Sequence, residues 1–209
     1  QGLQVRQVAQ ERGDSTSQVI VEQQQGLEVC QAAQRRRNRA GEGVRKEVQR
    51  FQVGEVAELR GHSLSPLLHK YWFEKYGLDA SYSIIEAKDE DLKDIVKKIR
   101  SHELIGINVT LPFKQKIINQ TDKIVNDAEL TGSVNTVLLD NDKIVGENTD
   151  VFGLQAAYLK EIDSNLHKSA LIIGAGGVSP SVILSLQKSG IKEISITNRT
   201  NEKCIFLKK

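Results

Sequence analysis

The feature that most constrains the fold is a glycine-rich turn set between an apolar strand and a helix. Residues 169–173, SALII, have the composition of a short buried strand, and Gly174-Ala175-Gly176-Gly177 follows directly. A helix is predicted from there to about Lys188, with a second strand over residues 193–197. Strand, turn, helix and strand in this order predict a parallel β-α-β unit of a layered α/β fold.

The turn itself favours binding of a dinucleotide. Gly174 suits the sharp bend, Gly176 allows the backbone to approach a pyrophosphate closely, and Ser179 is a small residue where the helix packs on the strand. The N-terminus of the helix that follows attracts phosphate charge. The candidate cofactor-binding residues of this turn are Gly174, Ala175, Gly176, Gly177 and Val178.

The end of the second strand indicates which dinucleotide is bound. An NAD site usually has Asp or Glu there, about twenty residues past the glycines, to hold the ribose 2′-hydroxyl. This chain has Asn198-Arg199-Thr200 instead, and a guanidinium can form a forked, charge-assisted contact with a 2′-phosphate. NADP is therefore the predicted cofactor, with Asn198, Arg199, Thr200 and Lys203 as further candidate contacts. The alternative is that Arg199 is an ordinary surface arginine.

Two polar clusters earlier in the chain each begin where an apolar run stops. One is Asn108-Val109-Thr110-Leu111-Pro112-Phe113-Lys114, and the other is Asn148-Thr149-Asp150-Val151-Phe152-Gly153. Ligands of open α/β sheets bind at the carboxyl ends of strands. A lysine beside a carboxylate can pass a proton to a carbonyl oxygen and take it back, so Lys114 and Asp150 are predicted to form a proton-transfer pair. The alternatives are a solvated Lys114 on a first helical turn and a helix-capping Asp150.

Further polar residues accompany this pair. Ser63 and Ser65 precede an amphipathic helix, and Ser65 followed by Pro66 is a good helix start. Ser63 is not needed for capping, so its hydroxyl is well placed to bind a carboxylate near the helix N-terminus. Asn135 begins a predicted hairpin with the turn Asp140-Asn141-Asp142. The turn accounts for the hairpin but gives no structural reason for an amide side chain at position 135.

The periodicity of the middle of the chain predicts alternating helices and strands. The helices are predicted at about 66–76, 89–100, 113–119, 122–129 and 149–161, and the strands at 81–86 and 104–109 with a hairpin at 134–147. This alternation implies a mostly parallel sheet covered by helices.

Residues 61–209 resemble the shikimate dehydrogenase family. The family's motifs Ser-Leu-Ser-Pro, Asn-Val-Thr-x-Pro-x-Lys, Val-Asn-Thr, Asn-Thr-Asp-x-x-Gly, Gly-Ala-Gly-Gly and Asn-Arg-Thr occur here in the family's order. The resemblance implies that Lys114 and Asp150 are catalytic. It also implies that Ser63 and Ser65 bind the substrate carboxylate and that the ring hydroxyls are bound by Asn108, Thr110, Asn135 and Asp150. The implied reaction is reversible hydride transfer between 3-dehydroshikimate with NADPH and shikimate with NADP.

The first sixty residues differ in composition from the rest. They are rich in Gln and Arg with a single isoleucine, Ile20, whereas residues 61–209 are rich in Ile, Lys and Asn and contain two arginines, Arg100 and Arg199. We expect residues 1–60 to be a foreign, disordered or irregular segment; a nucleic-acid patch at 31–39 is the weaker alternative. The apolar residues of 53–60 recur every third position, as in a helix, where the family has a buried strand. Either a poor substitute strand pairs there or the sheet lacks a member.

These boundaries predict three regions: the segment 1–60, a substrate-binding catalytic domain at 61–161, and the beginning of a Rossmann-type NADP-binding domain at 162–209. The family would continue for roughly another hundred residues, a typical domain's worth, so the resemblance indicates a chain truncated at both ends. Three interpretations stay open: an NADP-dependent shikimate dehydrogenase or a piece of one, a quinate-preferring relative, and a catalytically dead fragment that only binds ligand.

Global features fit a soluble, intracellular protein, so a cytoplasmic location is expected, and the resemblance implies a small-molecule substrate. The formal net charge is +2, and no apolar run approaches the ~20 residues of a membrane span. Cys30 and Cys204 are isolated and the four histidines are scattered, so neither a disulfide framework nor a metal site is expected. We expect no nucleic-acid or membrane partner, and the oligomeric state is left open.

Overall fold

A computed structural model of the protein describes residues 51–58, 63–159 and 168–207. These residues form two compact units, with the boundary between Asn148 and Thr149. The first unit contains β1 (Phe51–Ala57), α1 (Ser65–Lys75), β2 (Ala80–Glu86), α2 (Leu92–Arg100), β3 (Gly106–Val109), β4 (Lys123–Ile124), α3 (Asp127–Thr131), β5 (Thr136–Asp140) and β6 (Lys143–Glu147), with 3-10 turns at Asp89–Asp91 and Lys116–Gln120. The second unit contains α4 (Asp150–Ala157), β7 (Ser169–Ile173), α5 (Ser179–Lys188), β8 (Glu193–Thr197) and α6 (Asn201–Phe206).

The first unit is built on a six-stranded mixed sheet. The strand order is β2-β1-β3-β5-β6-β4. β1 pairs in parallel with both β2 and β3, and β4 pairs in parallel with β6, whereas β5 is antiparallel to β3 and β6. The predicted α/β architecture with a mostly parallel central sheet is therefore confirmed.

Of the two alternatives for residues 53–60, the substitute strand is confirmed, because Phe51–Ala57 is a strand inside the sheet despite the helix-like spacing of its apolar residues. Val53 packs with Phe73 on one face, and Val56 joins the larger core on the other. A strand that is buried on both faces need not alternate apolar and polar residues, so its spacing of three imitated a helix. Residues 51–57 of the segment 1–60, predicted to be irregular, thus form a strand. Residues 1–50, 59 and 60 of that segment lie outside the described residues.

The close packing of this strand depends on a glycine. A Cβ added at Gly54 would lie 2.3 Å from Cδ1 of Ile85 on the neighbouring strand β2. The substitute strand thus has a glycine where Ile85 packs closely and valines at the buried positions 53 and 56. It completes the sheet between β2 and β3.

Most predicted elements of the first unit are present, but the segment 113–131 differs. Two helices were expected near 113–119 and 122–129, whereas the structure has the short 3-10 turn at Lys116–Gln120, the strand β4 and the helix α3. The backbone N–H groups of Asp122 and Val125 donate to the carbonyl oxygens of Ile144 and Gly146 in 2.9 and 3.1 Å bonds. Pairing with β6 therefore prevails over the local helical pattern.

A salt bridge holds the same segment to α2. Both side-chain oxygens of Asp122 accept from Arg100, at 2.6 and 2.7 Å, and one also accepts from the backbone N–H of Ile144. The Ile144 N–H and then the Arg100 guanidinium lower the pKa of Asp122 below its ordinary value.

The hairpin predicted at 134–147 is confirmed as β5 and β6. Asp140 pairs with Lys143, which leaves Asn141 and Asp142 as the two loop residues, both with positive φ (48° and 63°). Two residues of this kind form the type I′ turn that suits the twist of a hairpin.

The second unit has a small core between two helices and a parallel strand pair. β7 and β8 pair in register from Ser169–Glu193 to Ile173–Thr197, and both strands have the predicted bounds. Leu159, Leu186 and Ile191 form the core, against which Leu154 of α4 also packs. The helix predicted at 149–161 thus belongs to this unit, and the expected boundary at 161/162 lies too late in the chain. In the part of the chain that the structure describes, no helix is long and apolar enough to cross a membrane.

Candidate active site

The serine pair lies where β1 leads into α1. Ser65 and Pro66 are the first two residues of α1, and Leu64 occupies the capping position without a side-chain hydrogen bond. Ser63 instead accepts a 3.2 Å bond from the backbone N–H of Ser65, which satisfies one donor of the helix N-terminus. The prediction that Ser65 caps the helix and leaves Ser63 unneeded is wrong.

Ser63 also donates a hydrogen bond that the sequence did not suggest. Its hydroxyl lies 2.8 Å from Oε2 of Glu55, which is half-buried in β1, and 3.1 Å from the hydroxyl of Ser65. The serine predicted to bind a substrate carboxylate is therefore bonded to a carboxylate of the protein itself.

A buried chain of polar side chains begins at Asn108 on β3. The hydroxyl of Tyr82 donates to Oδ1 of Asn108 at 2.8 Å, and Nδ2 of Asn108 donates to the Thr136 hydroxyl at 3.4 Å. The Thr136 hydroxyl donates in turn to Oδ1 of Asn135 at 3.1 Å. Asn108, Asn135 and Thr136 are all buried, so the two predicted amides are oriented by the hydrogen bonds that each makes with the Thr136 hydroxyl.

Thr110 and Lys114 lie on the segment that leaves the carboxyl end of β3. The backbone N–H of Thr110 donates to the Val56 carbonyl at 3.2 Å, and Phe113 is buried as an anchor for the segment. The Lys114 carbonyl accepts from the N–H of Val134 at 2.8 Å, which ties the lysine to the loop before Asn135. Residues 111–115 are a turn rather than a helix, so the alternative with Lys114 on a first helical turn does not hold, and its side chain is half-buried.

His69 contacts two residues of this region, Ser65 and Tyr82. The sequence did not suggest a role for this histidine. Its Nδ1 lies 2.8 Å from the Ser65 carbonyl oxygen, and its ring stacks on Tyr82 with centroids 3.9 Å apart. Burial lowers the pKa of His69 from 6.5 to about 4, against the hydrogen bond to Ser65, which raises it. His69 is therefore neutral at pH 7, and its Nδ1–H donates a hydrogen bond to the Ser65 carbonyl oxygen.

Asp150 is in the second unit, where it is the first residue of α4 and is buried. Thr149 occupies the capping position, so Asp150 is not the cap that the alternative interpretation required. A carboxylate in the first turn interacts favourably with the helix dipole. Because Lys114 and Asp150 lie in different units, their pairing stays a prediction.

The glycine-rich turn has the conformation that its sequence predicts. Gly174 has φ of 114°, which side-chain-bearing residues rarely adopt, and a Cβ added at Gly176 would meet no atom of the described residues within 4 Å. Ser179 is buried, and its hydroxyl donates to the Gly174 carbonyl at 3.1 Å. Open space therefore lies over the backbone at Gly176, whereas Ser179 packs against the turn.

Asn198 connects this turn to the end of β8. Its Oδ1 accepts from the N–H of Ala175 at 3.2 Å, and its Nδ2 donates to the Thr200 carbonyl at 2.9 Å. Arg199 and Lys203 are exposed, and the Lys203 N–H donates to the Thr200 carbonyl at 3.3 Å. The two cations thus follow Asn198, which bonds to the turn, while Gly177 and Val178 lead into α5.

The sequence analysis missed three residues of this region: Glu55, His69 and Tyr82. A glutamate in a strand with buried valines was a usable signal for Glu55. The contacts of His69 and Tyr82 depend on the pairing of β1 with β2, which the periodicity did not reveal.

Comparisons with known proteins agree with this arrangement. The profile described as "Shikimate dehydrogenase substrate binding domain" matches residues 56–137, and the profile described as "Shikimate / quinate 5-dehydrogenase" matches residues 157–209. The shikimate dehydrogenase (NADP(+)) of Pelagibacter ubique is 42% identical over 148 residues, which are 71% of this chain and 56% of that protein.

Two solved structures are also similar. Shikimate dehydrogenase from Aquifex aeolicus has a TM-score of 0.69 and 37% identity, with 78% of this chain and 60% of that chain covered. The Thermus thermophilus enzyme, solved in complex with NADP(H) and shikimate, has a TM-score of 0.67 and 32% identity, with 75% and 59% covered. The chain thus spans somewhat more than half the length of these relatives. Two successive family profiles and the similar proteins agree, and the chain belongs to the shikimate dehydrogenase family.

Proposed function

We propose that this chain comprises the substrate-binding domain and the start of the nucleotide-binding domain of an NADP-dependent shikimate dehydrogenase. The reaction is the reversible reduction of 3-dehydroshikimate to shikimate. The observation that carries the proposal is the buried amide network of Asn108, Thr136 and Asn135 at the end of β3, beside the segment that bears Lys114. A fold that needed only packing would not hold several amides and hydroxyls in its interior.

The substrate would be held by two kinds of group. The hydroxyls of Ser63 and Ser65 suit a carboxylate, and the amides and hydroxyls of Asn108, Asn135 and Thr110 suit ring hydroxyls, because each can both donate and accept. The network that Tyr82 and Thr136 form with the two amides fixes their orientation before a ligand arrives. Preorganised donors of this kind increase affinity because less ordering is left for the binding step.

Lys114 and Asp150 would carry the proton transfer. In reduction the Lys114 ammonium donates a proton to the carbonyl oxygen as it becomes an alcohol, and in oxidation the neutral amine takes that proton back. Asp150, as a carboxylate, would orient the lysine and a ring hydroxyl. NADP, when bound, supplies the hydride chemistry.

The residues of the nucleotide turn fit a dinucleotide phosphate. In the described part of the chain, neither Gly174 nor Gly176 has a heavy atom within 4 Å of the position that a Cβ would occupy, so phosphate oxygens can approach the backbone. Arg199 and Lys203 are exposed cations near the end of β8 and suit the 2′-phosphate of NADP. Ala175, Gly177, Val178, Asn198 and Thr200 complete the proposed cofactor-binding set.

The first test is calorimetric titration of the full 209-residue chain with shikimate, with quinate and with NADP. Lys114→Ala should weaken shikimate binding, whereas Lys116→Ala, two residues on and exposed, should not. Tighter binding of quinate than of shikimate would favour the quinate alternative, which the description of the second profile also includes. No binding of either acid would contradict the proposal.

The second test measures turnover in a chimaera that joins this chain to the remaining C-terminal residues of the P. ubique enzyme. Lys114→Ala should lower turnover by roughly a hundred- to ten-thousand-fold, the usual loss for a general acid or base. Arg199→Asp should weaken NADP far more than NAD, because a carboxylate would then face the 2′-phosphate. Unchanged turnover in the first variant, or equal loss of both cofactors in the second, would contradict the assigned role.

A further inference from the structure

Glu55 is a charged residue in the middle of a strand whose neighbours are buried. Val53 and Val56 are 1% and 0% exposed, whereas Glu55 is half-buried between them. Its register partner on β3 is Asn108, and side chains at paired positions of adjacent strands project from the same face of the sheet. Glu55 therefore faces the same side as the amide proposed to bind the substrate ring.

The contact with Ser63 uses the one proton that this hydroxyl can donate. A serine hydroxyl has a single O–H and two acceptor lone pairs. Ser63 accepts from the backbone N–H of Ser65 at 3.2 Å, and of its two neighbouring oxygens the Glu55 carboxylate is the nearer, at 2.8 Å against 3.1 Å for the Ser65 hydroxyl. Hydrogen bonds to an ionised acceptor are shorter and stronger than neutral ones. The proton of Ser63 therefore points to Glu55.

A substrate carboxylate at the serine pair would compete with Glu55 in two ways. It would need the Ser63 proton, so the bond to Glu55 would have to break. It would also bring a second negative charge next to the first, and like charges at a partly desolvated site cost several-fold to many-fold in affinity. A neutral ligand of the same shape meets only the first of these obstacles.

We propose that Glu55 is a specificity-determining residue that occupies Ser63 and disfavours ligands with a carboxylate at the serine pair. This inference rests on the proposed role of Ser63 and Ser65 in binding the substrate carboxylate. It concerns a residue of β1 that lies just before the segment matched by the substrate-binding-domain profile, residues 56–137.

The test uses the full 209-residue chain and two ligands, shikimate and its neutral methyl ester, with dissociation constants from ligand-observed NMR. Glu55→Gln keeps the shape and an acceptor oxygen but removes the charge. It should tighten shikimate binding by about tenfold or more, while methyl ester binding changes by no more than about threefold. Glu58→Gln, which removes an exposed charge just beyond the same strand, is the matched control and should change neither. Adding Ser63→Ala to Glu55→Gln should abolish the gain.

The possible results separate the two proposals. Equal shikimate affinity in the wild type and Glu55→Gln, with weaker binding in Ser63→Ala, would overturn the role of Glu55 and leave the serine site standing. An equal gain for both ligands would also overturn it, because charge would then not be the cause. Absence of shikimate binding in every variant would remove both proposals. Glu55→Val, an apolar strand residue, provides a second variant should the glutamine destabilise the fold, and it should give the same preference for shikimate.

Discussion

Acidification should destabilise the first unit through His69. The side chain is 0% exposed, and burial lowers its pKa from 6.5 to about 4. The unfolded chain, with the higher pKa, binds the proton first as the pH falls, so this group contributes stability that is present above pH 6.5 and is lost on going down toward pH 4. A difference of about 2.5 units corresponds to about 3 kcal/mol in total, of which about 2 kcal/mol is lost between pH 7 and pH 5.

The structural reason is that the protonated ring would lack a partner. Nδ1 already donates to the Ser65 carbonyl, whereas Nε2 is buried and has no hydrogen-bond partner among the residues that the structure describes. A proton on Nε2 would place a positive charge on a buried ring whose centroid lies 3.9 Å from the centroid of the Tyr82 ring. Desolvation of that charge opposes folding more strongly than the Ser65 bond favours it.

Urea unfolding at pH 7, 6 and 5 measures this effect. Trp72, the one tryptophan of the chain, lies on α1 with His69, so its fluorescence reports the relevant region. His69→Phe keeps an aromatic ring against Tyr82 but cannot titrate, so its loss of stability from pH 7 to pH 5 should be smaller by about 2 kcal/mol than in the wild type. His102→Asn, at an exposed position, should retain the wild-type dependence. Parallel curves for the wild type and His69→Phe would refute the reasoning.

Three further changes test the sheet, the glycine-rich turn and the amide network. Gly106→Ala should lower the free energy of unfolding by roughly 1–3 kcal/mol, because its Cβ would lie 2.7 Å from the Val137 carbonyl oxygen. Gly176→Ala should be nearly neutral in the same urea titration and should weaken NADP binding instead; equal losses of stability would contradict the distinction. Tyr82→Phe removes the 2.8 Å bond to Asn108 and should weaken shikimate binding by about two- to tenfold, measured by calorimetry. Unchanged affinity would mean that Asn108 needs no support from Tyr82.

The two strands of the second unit and the helix α5 between them could be predicted closely from the sequence, whereas α6 was not predicted. β7 and β8 have the expected bounds because glycines and polar residues bracket two short apolar runs, and a glycine with φ of 114° lies at the turn. Each of these signals is local, so a single sequence suffices to detect it. The hairpin of β5 and β6 was predictable for the same reason, since a two-residue loop determines the pairing.

The elements that were mispredicted depend on pairing between distant segments. β4 is a strand because Asp122 and Val125 bond to β6, and β1 is a strand because β2 and β3 lie on either side of it. In both segments the local pattern favours a helix, and tertiary hydrogen bonds prevail over it. Periodicity reports which faces are buried, and for a strand buried on two faces it does not distinguish strand from helix.

Because strand pairing cannot be read from local periodicity, the sequence analysis did not identify Glu55 as a residue of the site. Motifs identified Ser63, Asn108 and Asn135 as separate polar positions, but they do not reveal that β1 places a carboxylate beside Ser63 and in register with Asn108. A central strand contributes to a ligand site through the residues at its carboxyl end, so a change of strand sequence changes the chemistry of the site even where every motif residue is retained. The motifs therefore predict the class of ligand, whereas the strand beneath them determines how readily an anionic member of that class can bind.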